Sequence, residues 1–340
     1  MGHGIMGRTV VNFAGMVVAL AGAASVAVAQ DYGFGFVTIG DPGNRDTVPE
    51  EVPQWPELEV GGVEFEYRIM RTELTVGQQF EYVTSYWEHV PLNERGSRSF
   101  LGLWIRPAGP PEDPRYYIVQ GAEHRPAAMS WRHTARFANW LHNGKADEQW
   151  AFEDGAYDTS TFGYNNDGTL TDQPEHHPDA RFWIPTMDEY AKAMFWDPPA
   201  DGGEGKYWMF PHSKDVAPIP GAPWNGGETN AGLHPDDVPY LDVGSYPWAA
   251  SPWGLLDGSG GQPEWMENLA DGHYDRVWHG SIEYGSFHDL FDRVDWWSGT
   301  DAEFIDLGVR LAPVVPSAGT WVTALTAWGV GCAPWKRRRE

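Results

Sequence analysis

The sequence predicts an α+β fold, a loop-rich single domain of a few helices and short strands. Three observations carry this reading. Within Val60 to Met70, the apolar residues Val63, Phe65, Tyr67 and Ile69 alternate with polar ones, the two-residue period of a half-buried strand. Three later stretches show helical apolar spacing, after Thr75, Ser130 and Thr186, with Thr75 and Thr186 as capping residues. Finally, 40 Gly and 27 Pro are enough to separate short elements by long loops.

Residues 1–29 read as a secretory signal. Arg8 precedes a mostly apolar run from Val10 to Val28, and Ala27-Val28-Ala29 before Gln30 fits an A-x-A cleavage site. Residues 30–58, rich in Gly, Pro and acidic residues, read as a linker. A domain then spans 59–312. Its first helix follows Thr75, with Val76, Phe80 and Val83 on one face. A second follows Ser130, with Ala135, Ala138 and Leu141 spaced for one face. Thr186 with Glu189 three residues on forms a capping box before Tyr190, Ala193 and Met194. Gly144 to Gln173 and Pro198 to Pro239 read mostly as loop. In the tail, 313–340, an apolar run from Ala318 to Trp335 ends in Lys336-Arg337-Arg338-Arg339. That order suits an envelope anchor with its basic end on the cytoplasmic side.

Composition narrows the function. At 41% hydrophobic and 21% charged residues, the chain can bury a core and is not disordered. A formal net charge of −25 argues against nucleic acid and anionic membrane surfaces as partners of the folded part. It is compatible with divalent cations. Cys332 is the only cysteine, so the chain can form no intramolecular disulfide and no Cys-rich zinc site. Nineteen Trp fit a loop-rich fold that fills its core with large aromatics; an aromatic sugar-binding surface is the alternative. Asn165, Asp167 and Gly168 lie at three positions of a calcium loop over Gly163 to Pro174, but Gly163 and Pro174 stand where the charged ends belong. That stretch reads as a solvated turn. No G-x-S-x-G, P-loop or dinucleotide fingerprint occurs.

One segment is more specific. Val243-Gly244-Ser245-Tyr246-Pro247 is followed by Trp253-Gly254-Leu255-Leu256-Asp257-Gly258 and then by Gly260-Gly261-Gln262-Pro263-Glu264-Trp265. It resembles the signature of the sulfatase-modifying-factor family, the formylglycine-generating-enzyme-like domains, V-G-x-[YF]-P … G-L-Y-D-M-x-G-N-V-W-E-W. Arg71 to Phe80, Arg125 to Trp131 with Ala135 to Leu141, Ile184 to Ala193, and Leu307 to Ala312 resemble the family's other motifs in the family's order. The resemblance implies a decorated C-type-lectin-like fold. It also implies a calcium held by the Asp257 side chain, the Gly260 and Gln262 carbonyls and the Glu264 carboxylate. A second implied calcium site would use Asn230, the Ala231 carbonyl and Asp236 or Asp237. Gly261 and Pro263 depart from the family's usual Asn and aromatic residue. The tail resembles PEP-CTERM sorting signals, although Val315-Pro316-Ser317-Ala318 lacks their Glu-Pro.

The family's oxidases bind copper through two cysteines that follow a segment matched here by Arg276 to Ile282. The equivalent positions fall near Tyr284 or Gly285 and near Asp289 or Leu290, and none is Cys. Without thiolates there is no soft copper(I) site. The expected function is an exported, envelope-associated domain of this family without the oxidase cysteines, serving as a calcium-stabilised binding or structural module. A glycan or an exported protein is its expected ligand, and the tail its membrane contact. One alternative is an oxidoreductase whose metal sits among His273, His279, His288 and Asp289, although scattered surface histidines explain that pattern more simply. The other is a lectin-like protein binding glycan near Trp278, Trp296 and Trp297.

The missing cysteines make a direct prediction. The purified protein, with or without copper, converts no cysteine of a sulfatase-type peptide to an aldehyde. Peptide mass spectrometry checks this against an enzyme-free control.

Overall fold

The computed structural model describes residues 30–315, apart from 54, 55, 58, 201, 202, 235, 237, 239, 271–275 and 281–306. The expected signal segment, most of the tail, Cys332, His273, His288, Asp289, Trp296 and Trp297 lie outside the described residues.

Residues 30–58 differ from the expected linker. They contribute β1 (Phe36–Ile39), which pairs antiparallel with β2 (Tyr67–Met70), Phe36 opposite Met70 and Ile39 opposite Tyr67. Phe34, Ile39 and Val52 are buried, and the Trp196 indole N–H donates to the Asp41 carboxylate at 2.7 Å. The strand is short and a long loop separates it from its partner, so no hairpin pattern announces it. From Val60 to Met70 the expected alternation does not carry through as burial, because all four residues of β2, Arg68 and Met70 included, are buried. Val60, Val63, Tyr67 and Ile69 are buried, whereas Phe65 is 50% exposed.

Each expected helix forms at its cap. In α1 (Val76–Tyr86), Thr75 and Gln78 bond each other's backbone reciprocally, satisfying two amides that a helix N-terminus leaves unpaired. After the one-turn α2 (Arg98–Leu101), β3 (Ile105–Ala108) and β4 (Arg115–Ile118) form a hairpin. Ser130 caps α3 (Trp131–His142), and Ala135, Ala138 and Leu141 are buried as the spacing predicts. Arg132, His133 and Thr134 are buried as well, so this helix is covered on most sides. The stretch 144–173, expected as loop, contains α4 (Gln149–Glu153). After β5 (Phe182–Trp183), the Thr186–Glu189 capping box opens α5 (Met187–Phe195), followed by β6 (Trp196–Asp197) and β7 (Lys206–Tyr207).

β8 (Glu264–Leu269) pairs with β9 (Arg276–His279), and β10 (Ala312–Pro313) with β5, both antiparallel. The described strands therefore form small antiparallel ladders between helices, an α+β arrangement. The segment 307–314 laces them together. Met70, Leu74 and Met129 donate backbone N–H groups to Leu311, Val309 and Leu307, and Gly308 bridges to Glu264. Two buried indoles lock α3 to β8: Trp131 donates to the Met266 carbonyl at 3.1 Å, and Trp265 to the Met129 carbonyl at 2.9 Å. Trp140, Trp183 and Trp196 are buried too, so these tryptophans serve as core filler, whereas Trp150, Trp224 and Trp248 are exposed. Among the described residues no helix is long and apolar enough to cross a membrane.

The α5 cap yields a test. Thr186→Ala removes the acceptor for the Glu189 amide and should cost about 1 kcal/mol. That corresponds to a Tm fall of roughly 2–4 °C by calorimetry, with Thr186→Ser restoring most of it.

Candidate functional site

The turn from Asp257 to Glu264 runs into a buried corner. Asp257, Gly260 and Gly261 all have positive φ, at 62°, 78° and 66°. A Cβ at Gly260 would meet the Asn230 Oδ1 at 2.1 Å, and one at Gly261 the Glu73 Oε2 at 2.8 Å. Glycine is required at both positions because these side chains approach the bare backbone. Asn230 accepts the Gly261 N–H at 3.0 Å, and Glu73 Oε1 accepts the Gln262 N–H at 2.7 Å. Asp257 receives the Gly244 N–H, at 2.9 and 2.7 Å to its two oxygens. Glu264 holds Arg310 through both oxygens, at 2.8 to 3.1 Å.

The fold thus places Asp257, Gly260, Gln262 and Glu264 in one corner, and adds Glu73 and Arg310, which the sequence did not mark. Glu73 stands beside Gly261, where the family's usual Asn is absent. Asn230, assigned by resemblance to a second site, packs against this same turn. Asp236 is exposed beside His234, and Asp237 lies outside the described residues.

Buried Glu73 and Glu264 and half-buried Asp257 lie near one guanidinium, that of Arg310, which is held by Glu264. Burial, then the charges of Glu264 and Asp257, push the Glu73 carboxyl well above its usual range. Asp257 is pushed up to about 6, chiefly by burial and against the pull of Arg310 and the Gly244 N–H. Burial also opposes the charge on Arg310, but Glu264 more than offsets it and holds that guanidinium charged. Glu73 is 1% exposed, and its Oε2 has no hydrogen-bond partner among the described residues. Such an oxygen is costly in a protein interior. Among the described residues no three His, Cys, Asp or Glu side chains converge as a metal site, so a cation here would also need carbonyl or amide oxygens.

A narrow recess leads from the surface to this corner, with room of about 30 Å³ for water-sized groups. Glu73, Asn230, Asp257 and Tyr246 line it, and Trp104, Arg125 and Tyr240 also border it. The Arg125 guanidinium lies over Trp104 at 4.4 Å and Tyr240 at 5.8 Å from the ring centres. Its backbone is held by Val76, whose N–H donates to the Arg125 carbonyl, and the adjacent His124 carbonyl accepts from Val243.

A larger cavity of about 510 Å³ lies by Phe65, His176, Glu189 and Glu267. His176 stacks on Trp183 at 4.8 Å and bonds Glu267 at 2.9 Å. Burial raises Glu189 to about 7. Both buried carboxylates there are satisfied: Glu189 by Trp183 and Thr186, Glu267 by Tyr157 and His176. This network stabilises the structure around the α5 cap.

Of the expected histidine cluster, only His279 lies among the described residues. It is buried against Tyr190 and Phe195, in the interior and not on the surface. Asn165 and Asp167 bond Thr169 in an exposed turn, as the solvated reading of Gly163 to Pro174 requires.

The chain matches no protein-family profile and no curated protein. Among solved structures it is similar to the crystal structure of CarF, with 18% identity over 83% of this chain and 98% of that chain, TM-score 0.45. It is similar to Treponema denticola variable protein 1, with 15% identity over 83% of this chain and 95% of that chain, TM-score 0.44. A third similar structure is PvdO from Pseudomonas aeruginosa, with 13% identity over 83% of this chain and 92% of that chain, TM-score 0.40.

The buried carboxylates make stability depend on pH in a defined sense. A carboxyl with a raised folded pKa stabilises the fold below its unfolded pKa, and that contribution is lost as pH rises through the folded value. Asp257 moves from 3.8 to about 6, which corresponds to about 3 kcal/mol lost between pH 4 and 7. In chelator, urea unfolding of Asp257→Asn should therefore show a flatter stability profile than wild type across that interval.

Proposed function

We propose that this chain is an exported binding module on a sulfatase-modifying-factor-like fold, without oxidase chemistry, whose buried corner is stabilised by calcium. The observation that carries the reading is the corner's charge. Three carboxylates lie near one guanidinium, and one carboxylate oxygen of Glu73 has no partner among the described residues. A hard dication beside Asp257 and Glu73 would supply the missing positive charge and accept oxygen ligands from the Gly260–Gln262 turn. Glu264, engaged by Arg310, would share its carboxylate between the guanidinium and the cation. Export rests on the A-x-A site before Gln30, and envelope attachment on the apolar and basic tail. The family assignment rests on motifs that recur in order and lie around one core: at the α1 cap, before and along α3, at the α5 cap, at β8 and in 307–312.

Thermal unfolding in excess calcium and in excess EGTA tests the cation. Calcium at about 100 times its Kd should add roughly 2.7 kcal/mol, a shift of several degrees in Tm. Asp257→Ala or Glu264→Ala should remove most of that shift. Superimposable wild-type curves in calcium and EGTA would eliminate the calcium assignment.

A further inference from the structure

We propose that the recess between Arg125 and Glu73 binds a small zwitterion, a molecule carrying an ammonium group and a carboxylate, with the ammonium inside against Glu73 and the carboxylate outside on Arg125. The inference deepens the reading of the chain as a binding module and does not require calcium.

Two groups that line one recess, one buried and one half-buried, carry it. At the inner part, Glu73 is buried and lines the recess, with its Oε2 unpartnered among the described residues. Asn230 and Asp257 line the same space, and both present oxygen acceptors. An ammonium has three donors and no acceptor, so these oxygens suit it. The room of about 30 Å³ takes a group the size of one water or one ammonium. A larger ligand must leave its remainder at the opening.

At the opening stands Arg125. Among the described residues no hydrogen bond or ion pair engages its guanidinium, and its recorded neighbours are the faces of Trp104 and Tyr240. The two rings, edge-to-face with centres 4.9 Å apart, border the guanidinium, and its N–H donors, without a hydrogen bond among the described residues, can grip a carboxylate through paired hydrogen bonds. The backbone of the half-buried Arg125 is anchored to α1 through the Val76 N–H, which donates to its carbonyl.

The ligand's length is the unknown that experiment can read. Isothermal titration of glycine, β-alanine, γ-aminobutyrate and 5-aminovalerate, in EGTA and again in calcium, scans the span between the two charged ends. Propylamine and butyrate serve as single-ended controls. One chain length should bind at least about tenfold tighter than either control. Arg125→Ala should reduce that zwitterion to the affinity of the amine control, and Glu73→Gln to that of the acid control. Glu73→Gln keeps an acceptor for the Gln262 N–H, and circular dichroism with the unfolding midpoint checks that both variants fold. Absence of binding by every zwitterion, equal binding of zwitterion and single-ended control, or indifference to Arg125→Ala would each overturn the proposal. The calcium reading stands or falls separately, on the wild-type shift between EGTA and calcium.

Discussion

The guanidinium of Arg310 joins four parts of the chain that are far apart in sequence. It donates to the Met70 carbonyl at 2.7 Å, to the Leu256 carbonyl at 2.9 Å and to both oxygens of Glu264. Met70 ends β2, Leu256 leads into the acidic turn, Glu264 begins β8, and Arg310 itself belongs to the segment that meets β5 at β10. A fully buried ion pair is weak evidence for net stability, because desolvation opposes its Coulomb attraction. Removing one partner is another matter, since the orphaned charge remains buried. Arg310 therefore specifies the arrangement more than it strengthens it: other registers of 307–314 would bury an unpaired charge.

This explains why the small ladders cohere. None of the described ladders is large, and an isolated two-stranded ladder is marginal in water. Leu74, Met129 and Met70 donate their amides to the segment that carries Arg310, and the Trp131 and Trp265 indoles reach reciprocally between α3 and β8. Each connection spans a large sequence separation. The fold thus depends on long-range polar bonds inside an aromatic core, and its local hydrogen-bonded elements can remain short.

The same distinction separates what the sequence discloses from what it conceals. Thr75 at α1 and Thr186 with Glu189 at α5 act within one helical turn, so their roles are legible from spacing. β1 was not legible, because its partner strand lies beyond a loop and Gly- and Pro-rich flanks conceal the pattern. Asp257 and Glu264 were visible as a motif. Glu73 was not, although it faces the same turn, because it meets Gln262 across 189 positions. Gly261 was the available clue: a glycine replacing a polar family residue leaves space that another side chain can fill. His279 shows the converse. Its sequence neighbours placed it in an expected surface cluster, while β9 carries it into the core against α5.

A buried corner with one excess acidic group after another has only a few physical resolutions. It can hold protons, as the raised positions of Glu73 and Asp257 indicate. It can hold a metal cation or an organic one. All three compete for the same oxygens, so whichever occupies the corner alters the affinity for the others by an equal and reciprocal amount. The recess that leads to the corner constrains their route. Entry lies past Arg125, whose guanidinium sits beside Trp104 and Tyr240 and whose positive charge repels a bare cation and attracts an anionic tail. A metal that reached the corner would have to cross that charge, whereas an ammonium tethered to a carboxylate is drawn by both ends. The asymmetry of the opening, more than the acidity of its floor, is what distinguishes this recess from a simple cation trap.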